Sequence, residues 1–448
     1  PGPTLRFTEG EYAKIKVTNK MDMETSVHWH GLLLPNFYDG VPYLNTPPIA
    51  PGESFTYEFA LKQSGTYWYH SHTMLQEQSG VYGSIVIEPK EQTLDYDSDL
   101  VIVFSDWTNN KPMNVLRNLK RGNEWMGIKK GTATPLNQVI GRGALGAQFN
   151  FWKQRMEGAD IADVYYPAFL TNGKVTQEYP NYKGGEKVRV RFINAAASTY
   201  FWLTFGGEDP LLVASDGLDV VPVLHNKILF AIAETYDFIV TIPASGKLEI
   251  RATAQDGSGQ TSAFLGNGSV LSAPTIPRPD KIGMMKSMAK MKMKMGAPAL
   301  KANPKKDERF AMKGMKHDKK DMQKDTMPMG KMKMDEGMDM GSMKEMNHDN
   351  MAMGKRDSKM SGMSMGTAYD YDFLKSPQKT TYAKDVPVKE ILLNLTGNMN
   401  RYIWSMNGVP LAETDHIKIK EGEVTRLRMN NLTMMHHSHR VGVMLDDI

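Results

Sequence analysis

His28-Trp29-His30-Gly31 is followed by a second stretch of the same kind, Trp68-Tyr69-His70-Ser71-His72. Side chains alternate between the two faces of a strand, so a spacing of two places both imidazoles of each pair on one face. A single His-x-His pair is ordinarily two half-exposed histidines, but two pairs beside aromatic residues and near glycine favour one shared site. Imidazole binds copper, zinc, iron and nickel. The spacing therefore predicts a metal site without naming the metal.

The residues around both pairs predict a small β domain over residues 1–92. Residues 12–17 and 54–59 alternate apolar and polar side chains, as half-buried strands do. Strand-like runs at 66–70 and 80–87 follow, and no helical period of useful length interrupts them. This pattern is typical of an all-β sandwich or barrel.

A second β domain, with a structural role, is predicted over residues 93–275. Its strand-like runs lie at 100–104, 187–192, 230–233 and 237–240. Residues 118–158 are rich in Gly, Arg and Gln and are interpreted as a long loop with one short helix. His225, the single histidine of this segment, is interpreted as an ordinary surface or loop residue.

The composition changes in a methionine-rich insert, residues 276–372. Methionine supplies 22 of the 83 residues from 284 to 366, with almost no aromatic or β-branched neighbours. Such a segment buries too little surface to offset its ordering entropy, which predicts disorder. An inert linker is one interpretation, but thioethers are soft ligands that favour Cu(I). The Cu(I) candidates are Met291, Met293, Met295, Met363 and Met365.

Residues 373–448 predict a third β domain, with runs at 390–395, 402–408, 416–420 and 424–429. A third histidine cluster, His436, His437 and His439, lies close to the end of the chain. These residues are too few to close a sandwich of the predicted size. The third domain is therefore expected to be incomplete.

The absence of cysteine from the 448 residues excludes disulfides, thiolate zinc sites and a blue-copper site of the His2Cys kind. The net charge of +4 is uneven, since residues 284–366 hold 19 Lys/Arg against 11 Asp/Glu and the remainder is net negative. This distribution argues against nucleic-acid binding. The sequence contains no run of about 18 apolar residues, so no membrane-spanning helix is predicted. No export signal can be read at the start of the sequence.

The paired motifs, the C-terminal histidines, the methionine-rich insert and the run Asn36-Phe37-Tyr38-Asp39-Gly40-Val41-Pro42 resemble the copper-resistance branch of the bacterial multicopper oxidases. The resemblance covers nearly the whole chain. It implies three cupredoxin-like domains, which are Greek-key β-sandwiches, with the third incomplete. It also implies copper as cofactor and a trinuclear copper cluster between the first and third domains. By similarity, the type 2 copper would be bound by His28, and the type 3 pair by His30, His70 and His72.

The reaction that the resemblance implies is oxidation of Cu(I) or a phenol with reduction of dioxygen to water, in the periplasm. This sequence differs from the family in its third domain. One family motif is replaced by His436-His437-Ser438-His439-Arg440, and the other, a His-Cys-His segment, is absent. The chain is therefore expected to lack a type 1 centre. Three explanations remain open: a fragment of an oxidase, a frameshifted copy, or a version that only binds copper. A copper-sequestering protein without catalysis is the alternative function. A zinc hydrolase is disfavoured, since no glutamate base motif accompanies the histidines.

Overall fold

The computed structural model of the 448-residue chain describes residues 1–121, 125–153, 161–162, 164–290, 369–383, 385–398, 403–410, 417 and 419–431. Strands dominate these residues and fall into three successive groups along the chain. The all-β class expected from the alternating pattern is confirmed. Within the described residues, no helix is both long and apolar enough to cross a membrane.

The first group of strands forms a small sandwich around an aromatic core. One sheet has the order β1-β6-β5-β3, with β1 parallel to β6 and the other pairs antiparallel, and β2 pairs with β4 in a second sheet. Trp29, Tyr57, Phe59 and Ile85 are buried between them. The strands are β1 (Leu5–Thr8), β2 (Tyr12–Thr18), β3 (His28–His30), β4 (Ser54–Ala60), β5 (Gly65–His70) and β6 (Tyr82–Glu88).

The second group forms two six-stranded sheets that share one core. Their orders are β13-β12-β15-β10-β7-β8 and β14-β11-β16-β17-β9, with β18 pairing β16. Phe192 of one sheet and Leu203 and Ile250 of the other are fully buried in that core. The strands are β7 (Ser98–Trp107), β8 (Ala168–Thr171), β9 (Thr176–Tyr179), β10 (Lys187–Asn194), β11 (Phe201–Phe205), β12 (Leu211–Ser215), β13 (Leu218–Leu224), β14 (Lys227–Phe230), β15 (Thr235–Thr241), β16 (Gly246–Ala254), β17 (Gln260–Asn267) and β18 (Val270–Leu271).

One strand prediction in this group is wrong. Residues 230–233 combine the end of β14 with a turn, in which Ala233 has a φ of 66°. A short apolar run has no periodicity of its own, so the turn could not be separated from the strand by pattern alone.

The described residues between β7 and β8 form four helices, and three of them lie within residues 118–158, where a loop with one short helix was predicted. The four are α1 (Pro112–Arg121), α2 (Trp125–Lys130), α3 (Leu136–Gly141) and α4 (Leu145–Lys153). The buried ammonium of Lys130 donates to Asp256 Oδ2 at 3.1 Å and to the carbonyl of Ala162. This ion pair connects the helices to the β-sheets behind them.

Part of the segment predicted to be disordered forms a fifth helix, α5 (Lys281–Lys290). Ile282 and Met285 pack against Val139 of α3 and Ala144, which precedes α4. Composition alone predicts disorder for these residues because their apolar partners lie far away in the sequence. Residues 291–368 are outside the described part of the chain, and they include Met291, Met293, Met295, Met363 and Met365.

A third, three-stranded sheet follows, with the order β20-β19-β21. Its strands are β19 (Val388–Asn398), β20 (Ile403–Met406) and β21 (Val424–Asn431). The described residues within the predicted run 416–420 are not in a strand. Residues preceding this sheet pack on the second group, where Phe373 stacks on His225 with ring centroids 4.0 Å apart. His436, His437 and His439 lie outside the described residues.

A buried charge network joins the first and second groups of strands. Arg191 is fully buried and donates to Glu88 at 3.0 Å and to Asp99 at 2.9 Å. It also contacts the Thr66 hydroxyl of β5 at 3.2 Å and Asp237 at 3.3 Å. Buried charges are tolerated when they are paired and hydrogen-bonded in this way. The network therefore fixes β5 against the second group.

We expect Arg191→Gln to destabilise the protein strongly, because it removes a fully buried guanidinium that Asp237, Asp99 and Glu88 share. Asp237 keeps its pair with Arg189, and the other two carboxylates keep Arg6. The cost is about 3–5 kcal/mol for loss of one partner of a buried ion pair. Urea denaturation measures the effect. Lys14→Gln is the control, since Lys14 and Glu58 form an exposed pair at 2.8 Å, and exposed pairs contribute little to stability. Equal midpoints for the two variants would contradict a structural role for the network.

Candidate metal centre

The pairing of β3 with β5 brings the two histidine motifs together. In this antiparallel register His28 lies opposite His70, and His30 lies opposite Trp68. Because side chains alternate, these four residues share one face of the two strands, whereas Trp29 points to the other face. Trp29 is buried in the core of the first sandwich. The core residue therefore sets which face the imidazoles occupy.

His72 joins this group just beyond the end of β5. Its backbone N–H donates to the Ser26 hydroxyl at 3.1 Å, which holds the departing chain beside β3. Ring nitrogens of His28, His70 and His72 all lie within 4.8 Å of one another. The His72 ring centroid is 4.9 Å from that of His28 and 4.9 Å from that of His70.

The fourth imidazole, that of His30, faces His70. Its Nδ1 lies 3.1 Å from His70 Nε2. Two nitrogens that each bind one metal ion at about 2.0 Å are roughly 3 Å apart when the angle between the bonds is near tetrahedral or a right angle. The separation is that of an N–H···N hydrogen bond between the two rings, and it also matches two ligands of a single ion.

The loop after β3 orients His28. The ring N–H at Nδ1 donates to the carbonyl oxygen of Asp39 at 2.7 Å, and the Asp39 carboxylate lies 3.4 Å from the same nitrogen. Asn45 donates to that carboxylate at 2.9 Å. With the proton on Nδ1, the Nε2 lone pair is left for a metal, which is the usual arrangement of a ligating histidine.

The electrostatics of Asp39 agree with this arrangement. Burial alone raises the pKa of its carboxyl, but the contacts with His28 and the hydrogen bond from Asn45 outweigh burial and hold the pKa below its usual value. Gly40, the next residue, has a φ of +91°, and a Cβ there would lie 1.8 Å from the carbonyl oxygen of Val27. Only glycine allows the loop to approach β3 so closely.

Glu77 and Trp68 position His70, a role that was not predicted from the sequence for either residue. The Glu77 carboxylate is 3.3 Å from His70 Nδ1. The Trp68 ring stacks on the His70 imidazole with centroids 4.1 Å apart. Glu77 begins a short 3₁₀ turn, Glu77–Ser79, and no spacing rule predicts that this turn folds back onto the strand. The stacking could have been anticipated, because Trp68 and His70 are two residues apart on one strand.

The pKa of His72 is lowered to about 4. Desolvation by the groups packed on one side of the ring is the largest cause, although the residue as a whole is exposed, and repulsion from the imidazoles of His28 and His70 adds to it. A metal ligand must be neutral imidazole, so the lowered pKa keeps the His72 ring in its ligating form over the physiological range. Imidazole nitrogen is a donor that suits copper, zinc, iron and nickel, so the residues fit copper without excluding the other metals.

Two family models described as multicopper oxidase match residues 1–92 and 98–269 of this chain. A copper resistance protein A homolog of Pseudomonas syringae pv. tomato is 35% identical over 100% of this chain and 78% of that protein. Copper resistance protein A of Escherichia coli is 34% identical over 100% of this chain and 79% of that protein. The crystal structure of Fet3p, a multicopper oxidase that functions in iron import, has a TM-score of 0.49 and 20% identity, covering 62% of this chain and 49% of Fet3p.

We expect the His72 ring of the metal-free protein to remain neutral from pH 8 down to pH 5, because its lowered pKa lies below that window. Proton–nitrogen correlation NMR of the histidine rings measures this directly. In His28→Asn the repulsion from one neighbouring imidazole is removed, so the pKa of His72 rises while remaining below the usual histidine value. A His72 midpoint near 6.5 in the unmodified protein would contradict the crowded geometry.

Proposed function

The chain belongs to the multicopper oxidase family, and we propose that it oxidises Cu(I) or phenols with dioxygen as the electron acceptor. The members of this family are oxidoreductases that use copper. The observation that carries the proposal is the convergence of four imidazoles on one face of β3 and β5. By the same resemblance we propose that the protein acts in the periplasm in copper resistance. The confinement of the excess positive charge to residues 284–366 argues against a nucleic-acid partner.

We propose that His28 binds a type 2 copper and that His30, His70 and His72 contribute to a type 3 pair. The 3.1 Å separation of the facing nitrogens of His30 and His70 supports a shared ion. When bound, a trinuclear copper cluster supplies the several redox centres that reduction of dioxygen to water requires. His436, His437 and His439 remain candidates for further ligands.

The surrounding residues prepare these imidazoles rather than act on substrate. The Asp39 carbonyl and the Glu77 carboxylate each face an Nδ1 atom, so His28 and His70 present Nε2 to the metal. Trp68 restricts rotation of the His70 ring by stacking on it. Such outer contacts fix the tautomer and raise the basicity of the ligand.

The 448 residues contain no cysteine, and this observation favours a second candidate function. A His2Cys type 1 centre cannot form from these residues, since that site needs a thiolate. The alternative is a copper-sequestering protein that binds Cu(I) through the methionine-rich insert, with Met291, Met293, Met295, Met363 and Met365 as ligands. Catalytic turnover and Cu(I) stoichiometry distinguish the two functions.

For the copper-loaded chain we expect oxygen consumption with Cu(I) or a phenol above the rate given by the same concentration of free copper. His30→Asn/His70→Asn is expected to lower the rate at least tenfold, because both facing nitrogens of the shared ion are removed. His225→Asn is the matched control, since His225 packs on Phe373 outside this cluster. Absence of turnover, together with loss of most Cu(I) binding on deletion of residues 284–366, would instead support sequestration.

Copper affinity is expected to fall about 10- to 100-fold in Glu77→Ala, the usual cost of losing a partner that orients a ligating histidine. Competition with a chromophoric copper chelator measures the affinity. Glu53→Ala removes an exposed carboxylate from a turn of the same sandwich and should leave the affinity unchanged. Equal affinities for the two variants would mean that Glu77 does not support the site.

A further inference from the structure

Helices α1 and α2 and the residues beside them line an open cavity of about 320 Å³ that is separate from the histidine cluster, and its three cationic residues are exposed to solvent. Its wall is built mainly by α1 and α2 and is dominated by hydrogen-bond donors. Three side chains are cationic, and three asparagine amides and the Tyr165 phenol supply further polar groups. The charged and amide residues are Arg117, Arg121, Lys129, Asn110, Asn114 and Asn118.

None of the described residues that line the cavity is acidic. The side chain of Arg117 donates to Asn114 at 3.5 Å, a neutral partner. The Lys129 ammonium lies over the rings of Trp125 and Tyr165, 5.3 and 5.8 Å from their centroids. These aromatic faces attract the cation but do not neutralise it.

Two other cations of the same helical segment are paired with carboxylates. Arg142 donates to both oxygens of Asp280, at 2.6 and 2.7 Å, and Lys130 is paired with Asp256. The three cations of the cavity lack such carboxylate partners among its lining residues. Like charges around one concave surface repel one another and focus a positive potential on it. An anion in the cavity relieves that repulsion.

We propose that this cavity binds a small multivalent oxyanion. Two guanidinium groups can each form paired hydrogen bonds with a carboxylate or phosphate, and asparagine amides can donate to the remaining oxygens. The volume lies at the lower end of the range for small-molecule sites, so it favours an organic polycarboxylate over a free inorganic phosphate. The site does not depend on copper or on the proposed oxidase activity.

Isothermal titration calorimetry of the full chain tests the proposal, with tricarballylate as the tricarboxylate probe and inorganic phosphate as the second arm. We expect saturable one-to-one binding that weakens as salt is added. Arg117→Gln/Lys129→Gln should raise the dissociation constant at least tenfold. Lys111→Gln/Lys120→Gln is the matched control, because it removes two exposed cations of the same region that do not line the cavity.

Tighter binding of tricarballylate identifies a polycarboxylate site, and tighter binding of phosphate identifies a phosphate site. Both outcomes support the proposal if the control variant binds as the unmodified chain does. Equal weakening in the two double variants means attraction to overall charge and overturns it. Absence of saturable binding overturns it as well. Thermal unfolding without added anion verifies that each variant is folded.

Discussion

The antiparallel pairing of β3 with β5 is the constraint on which the metal centre depends. A shift of one residue in this register would move Trp29 out of the core and turn the imidazoles away from one another. The buried indole therefore selects the register, and the register places His28 opposite His70. The aromatic core and the histidine cluster lie on opposite faces of the same two short strands, so a substitution that shifts one also shifts the other.

The same strand also connects the first sandwich to the second group of strands. Trp68 packs with Val103 and Ile193 of the second group, and Thr66 accepts a hydrogen bond from the buried Arg191. These contacts begin at the second residue of β5 and continue to within two residues of His70. The packing of the two sandwiches thus helps to set the position of the His70 ring, and the second group contributes to the site without supplying a described ligand.

Strand patterns and the four clustered histidines were predictable because alternation is a local property of the sequence. Helices α2 and α3 were not, since they are only 6 residues each and leave no clear period. Their stability comes from distant partners, such as Asp256 for Lys130 and Met285 for Val139. The orienting role of Glu77 was missed for the same reason: it depends on a turn folding back, which spacing does not encode.

Strand β3 has three residues and lies at the edge of its sheet, with β5 as its neighbour in the sheet order. So short a strand has few ladder hydrogen bonds and depends on side-chain contacts. On one face the contacts come from Trp29 in the core. On the other face, crowded imidazoles cannot all carry protons, as the lowered pKa of His72 indicates. A copper ion bound under the proposed function would join both strands across that face, so metal binding and pairing of β3 stabilise each other.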